Sequence, residues 1–184
     1  MNCNRKLTVL WLFAFVTFPS LGFAQGETTR FIEGGSLIIA PVDGANSFQV
    51  YSKEVGKWSN IVIPNSIEAT PVVSTNICTF KLEGKKITHL VAVDAKGNVV
   101  KQKLPKPTTS CNPIVSAQMA AFVVDGRAYA FSAVVGRWDV IDSPVTPQIL
   151  NGAILVVAPD RIGTFSAKTG KWSVARTKIK TAYP

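Results

Sequence analysis

The chain has 184 residues, with 20 basic and 11 acidic side chains, one histidine and a formal net charge of +9. Its length suits one domain. The single imidazole, His89, leaves no histidine pair for a metal centre and only one place on which a serine, histidine and aspartate triad can be built. Beyond the amino terminus, no hydrophobic segment is long enough to span a membrane.

In chain order, the first element reads as a targeting segment. Arg5 and Lys6 form a short positive region, Leu7 to Phe18 is a predominantly apolar run of 12 residues, and Gly22-Phe23-Ala24 supplies small residues for a peptidase. A membrane-spanning helix needs ~20 such residues, so the pattern predicts a signal peptide over 1–24, cleaved after Ala24, and export to the periplasm or the extracellular space. Residues 25–184 then form a single domain with 18 basic and 11 acidic side chains. Two of its residues are cysteines, Cys78 and Cys111. In an oxidising compartment they make a candidate disulfide, the alternative being two separate buried thiols.

Three segments of this domain repeat one phrase: FQVYSKEVGKW ending at Trp58, AYAFSAVVGRW ending at Trp138, and IGTFSAKTGKW ending at Trp172. Each has an aromatic residue seven positions before the tryptophan (Tyr51, Phe131, Phe165), followed by Ser52, Ser132 or Ser166 and then by Gly56, Gly136 or Gly170. Self-similarity of this kind marks a stack of like units. Within each unit the apolar residues form short alternating runs bounded by turn residues, as in Met119 to Val124, Asp125-Gly126 and Arg127 to Phe131, which predicts antiparallel strands. Three residues between serine and glycine suit a type I turn closed by a left-handed glycine forming a bulge. The tryptophans are expected to be interior wedges between units.

A shortened fourth copy lies in Val91 to Val100, where Val93 stands for the aromatic, Asp94 for the serine, Gly97 for the glycine and Val99 for the tryptophan. Repeat markers then fall at Trp58, Val99, Trp138 and Trp172. The expected fold is all-β, four repeats of antiparallel strands in a small β-propeller-like domain. The alternatives are a barrel or sandwich, or a partial propeller closed by oligomerisation. Closure within one chain requires Phe31 to Ala40 to meet Trp172 to Ile179, because open sheet edges invite pairing with other chains.

These residues resemble the blades of kelch and quinoprotein-like β-propellers. AVDAKGNVV is similar to a quinoprotein-type blade and FSAKTGKW to both kinds. The F-S-x-x-T-G-x-W pattern is also similar to repeats of exported bacterial proteins of unassigned role. The resemblance covers most of Ser36 to Lys180; it implies a shape, and it carries no catalytic residue onto this chain.

Chemistry-bearing motifs are few. GTFSAKTGKW fails as a phosphate-binding loop, since Phe165 stands where the first glycine belongs and Trp172 where a hydroxyl belongs. Asp139 and Asp142 are the closest carboxylate pair, but their spacing puts them on opposite faces of a strand. The reading therefore assigns no catalytic, metal-binding or cofactor-binding residue and no cofactor. Arg176, Lys178 and Lys180 share one face of a strand and form a candidate anion patch, or else a solvated edge kept from aggregating by its charges. Three functions stand open: an exported non-catalytic module that binds a protein or glycan through its loops, a propeller-scaffold lyase or glycosidase, and a basic surface that binds anionic polymers.

Overall fold

The structure is a computed structural model that describes residues 31–42 and 46–176. The expected signal peptide, the turn at Asp43, and Lys178 and Lys180 lie outside the described residues. Among the described residues every regular element is a strand. They form four antiparallel sheets, each built from consecutive strands in chain order. Blade one holds β1 (Ile32–Glu33), β2 (Leu37–Val42), β3 (Ser47–Ser52) and β4 (Lys57–Val62). Blade two holds β5 (Ile67–Val73), β6 (Cys78–Val93) and β7 (Val99–Cys111). Blade three holds β8 (Ile114–Val115), β9 (Met119–Val124), β10 (Arg127–Ser132) and β11 (Arg137–Asp142). Blade four holds β12 (Gln148–Leu150), β13 (Ala153–Ala158), β14 (Arg161–Ser166) and β15 (Lys171–Arg176).

The repeat phrase maps onto one hairpin per blade. Tyr51 pairs with Trp58, Phe131 with Trp138, Phe165 with Trp172 and, in the shortened copy, Val93 with Val99. The marker glycines Gly56, Gly97, Gly136 and Gly170 have φ of 69°, 79°, 63° and 59°, the left-handed region that glycine enters without a steric penalty. Gly56 N–H donates to the Ser52 carbonyl at 2.8 Å and Gly136 to Ser132 at 2.9 Å, four residues back. Gly97 donates to Asp94 at 2.9 Å, three residues back, so the deleted residue is lost from the turn itself. One detail differs from expectation. The register runs unbroken through Ser52↔Lys57 and Tyr51↔Trp58, so the glycine ends a four-residue loop and is not a bulge within the ladder.

Alternation explains how the blades stack. In blade three, Phe122, Val124, Tyr129 and Phe131 join a core shared with blades one and two, whereas Met119, Ala121 and Ala130 face Ile154 and Phe165 of blade four. Both faces are covered, which is why β9 and β10 read as nearly continuous apolar runs. The alanines make room for the Phe165 ring.

Two expectations need correction, and the open question of ring closure is answered. The tryptophans are not equivalent: Trp138 is 8% exposed and Trp172 half-buried, but Trp58 is 48% exposed because no blade precedes its own among the described residues. The sheets do not close into a ring, and among the described residues no hydrogen bond joins blade one to blade four. Cys78 and Cys111 are free thiols. Cys111 stands opposite Leu82, and Leu82 lies four residues along β6 from Cys78 on a regular ladder with β5. At ~3.3 Å per residue that is ~13 Å, beyond the ~4.4–6.8 Å between α-carbons that a disulfide spans.

Candidate binding cleft between the second and third blades

Several polar groups of the repeat hold neighbouring blades together or close a turn. Trp138 Nε1 donates to the Val100 carbonyl at 3.2 Å, and Trp172 Nε1 to the Asp139 carbonyl at 3.3 Å. Asp94, where the other blades have serine, accepts from Lys96 N–H at 3.0 Å, Asn98 N–H at 2.9 Å and Asn98 Nδ2 at 2.9 Å, closing its own turn. The Asp139 carboxylate accepts the Trp172 and Val140 amides at 2.8 and 3.0 Å. Asp142 pairs with Arg127 at 3.3 Å. Thus Asp139 and Asp142 each have a structural partner, and they do not form an acid and base facing one substrate.

His89 is exposed on β6, with Thr88 Oγ 2.9 Å from its Nδ1. It lines a 260 Å³ cavity together with Ile63, Ile67, Leu82 and Lys101, a mostly apolar setting. Among the described residues no cluster of three or more histidine, cysteine or acidic side chains is placed to hold a metal. Both cysteines are buried, and burial pushes the Cys78 thiol up to about 12 and the Cys111 thiol up to about 11, so neither supplies a thiolate. Arg176, the described member of the basic patch, is exposed at the end of the edge strand β15, opposite Arg161.

The arrangement that sequence reading passed over lies where β7 of blade two meets β10 and β11 of blade three. Gln102, Lys103, Leu104, Pro105, Arg127, Tyr129 and Val140 line a cleft of about 430 Å³ there. Tyr129 is 2% exposed, yet its hydroxyl has no hydrogen-bond partner. A buried phenol normally finds one, so this hydroxyl, closed off behind the cleft wall beside Arg127, has an unmet hydrogen-bonding capacity. Burial raises its pKa, and the neighbouring Arg127 only partly offsets that, so the phenol is present as O–H. Lys103 contributes to the lining from the strand that pairs it with His89, and it makes no ion pair among the described residues. Leu104 and Pro105 give the cleft an apolar floor beside these donors. The donor set suits a carboxylate, a sulfate or a hydroxyl-rich ring. In sequence, Tyr129 is one aromatic in an alternating strand, and only the missing partner distinguishes it from core.

No protein-family model matches the chain, and comparison with curated proteins finds no match. Among solved structures, a streptogramin B lyase matches with 16% identity and a TM-score of 0.39, over 84% of this chain and 56% of that one. HIRA(644–1017) matches with 11% identity and a TM-score of 0.44, over 83% and 57%. Hsv2 of Kluyveromyces lactis matches with 16% identity and a TM-score of 0.37, over 80% and 50%. These are propeller-type proteins, and the chain spans about half the length of each.

Proposed function

We propose that the protein is an exported, non-catalytic binding module that takes an acidic glycan in the cleft between blades two and three. The observation that carries this reading is Tyr129, whose buried hydroxyl has no partner behind a cleft that Gln102, Lys103 and Arg127 also line. A uronate or sulfated sugar offers acceptors for the phenol and the ammonium, and its ring face suits the apolar floor. The net positive charge draws such a polymer to the surface before any specific contact forms. Asp139 and Asp142 are held by the fold, so the cleft binds without an evident acid and base pair.

Titration calorimetry with oligogalacturonate and with sulfated oligosaccharides, at two salt concentrations, tests the proposal. Binding should weaken as salt rises, and Tyr129→Phe and Lys103→Gln should each reduce affinity by about tenfold, the equivalent of one charge-assisted or buried hydrogen bond. Affinity that neither substitution changes would place the ligand elsewhere. Shortening of the oligosaccharide on incubation would replace the binding reading with a lyase or glycosidase.

A further inference from the structure

The contacts between successive blades use two donors, and their distribution along the chain identifies what covers its two ends. One donor points backward: Trp138 Nε1 reaches the Val100 carbonyl of blade two, and Trp172 Nε1 the Asp139 carbonyl of blade three. Val100 and Asp139 occupy the same position, one residue past the repeat marker. The other donor points forward: Ser52 Oγ reaches the Ala95 carbonyl of blade two at 2.6 Å, and Ser132 Oγ the Ala167 carbonyl of blade four at 2.5 Å. Ala95 and Ala167 are likewise equivalent, each following the residue at the serine position.

Blade two has lost both donors, with Val99 for tryptophan and Asp94 for serine, yet each of its two contacts keeps one because the neighbour supplies it. The end blades have kept theirs without a neighbour among the described residues to use them on. Trp58 of blade one is 48% exposed against 8% for Trp138, and Ser166 of blade four is only half-buried where Ser52 and Ser132 are buried. Among the described residues neither Trp58 Nε1 nor Ser166 Oγ makes a hydrogen bond.

We propose that blade four of one copy docks on blade one of a second copy, in the register that joins blades three and four. Trp58 Nε1 then donates to the Ser173 carbonyl of the other copy, the position equivalent to Asp139, and Ser166 Oγ to the Lys53 carbonyl, equivalent to Ala167. The apolar faces correspond as well. Ile38 and Tyr51, a cross-strand pair, stand where Ile154 and Phe165 stand in blade four, and Leu155 with Thr164 stand where Ala121 and Ala130 receive those side chains in blade three. All four end-face residues are half-buried. The contact is heterologous, with a different surface on each copy, so it closes into a ring where the rotation permits and otherwise propagates.

Light scattering after size exclusion, at micromolar concentration, tests this on the purified protein and two variants. Trp58→Ala removes the blade-one donor, and Ser173→Trp blocks the blade-four end at an exposed position of an edge strand. The wild type should have the mass of two or more copies. Each variant alone should be a monomer with wild-type circular dichroism. An equimolar mixture of the two should recover a two-copy species, because one copy still offers an intact blade four and the other an intact blade one. A monomeric wild type overturns the proposal, as do variants that keep the wild-type mass, which place the contact elsewhere, and a mixture that stays monomeric while the wild type does not, which means a symmetric contact.

Discussion

Thr79 and Val91 are twelve positions apart in the single long strand β6, yet Thr79 Oγ donates to the Val91 carbonyl over 2.7 Å. Twelve residues of straight strand span ~40 Å, so the strand doubles back. It does so where Gly84 has φ of 148° and Lys86 of 65°, within the first of two shifts of register against β7. The bond therefore joins the two halves of the most divergent blade. Thr79 is fully buried, and Thr79→Val keeps its shape while removing the donor. Urea denaturation should show a loss of about 1–3 kcal/mol, the cost of a buried carbonyl left without its partner. A loss within error would mean that strand pairing alone holds the fold-back.

The buried indole of Trp138 fills the junction of blades two and three, with ring centroids 5.1 Å from Phe131 and 5.8 Å from Phe122. Removing it opens a cavity and leaves the Val100 carbonyl unpaired. Trp138→Ala should cost about 3–5 kcal/mol in the same measurement. Trp138→Phe should cost less, because it restores most of the volume while still giving up the indole N–H. Equal losses for both variants would assign the whole effect to the hydrogen bond.

The hairpins were legible in the sequence because their causes are local. A serine, a fixed loop and a left-handed glycine determine the turn wherever they occur, and even the shortened copy from Val93 to Val99 forms it. What depends on neighbours was not legible. Trp58 and Trp138 have the same local phrase, and only the presence or absence of a preceding blade decides which is buried. The Cys78 and Cys111 pairing failed for a related reason, since a loop length carries no information about register across β6 and β7. In sequence Tyr129 is one apolar-facing aromatic of an alternating strand; its lack of a hydrogen-bond partner appears only in three dimensions.

The two thiols give the last test, in which chemistry and stability answer together. Burial is the largest cause raising both, to about 12 for Cys78 and about 11 for Cys111, from an ordinary value of 9.0. A disulfide-exchange reagent should therefore find neither in the native protein near neutral pH and both after denaturation; two oxidised cysteines at the start would instead show a bridge and a different register in blade two. The sign for stability follows from which state holds its protons. Below pH 9 both states keep the thiols protonated and the stabilisation is fully present. Above it the unfolded chain ionises first, so the native state loses ground as pH rises from about 9 toward 12. Cys78→Ala should flatten that part of the stability profile, while also lowering stability at every pH through the small cavity it leaves. An unchanged alkaline slope in Cys78→Ala would show that the thiol is not the group that titrates.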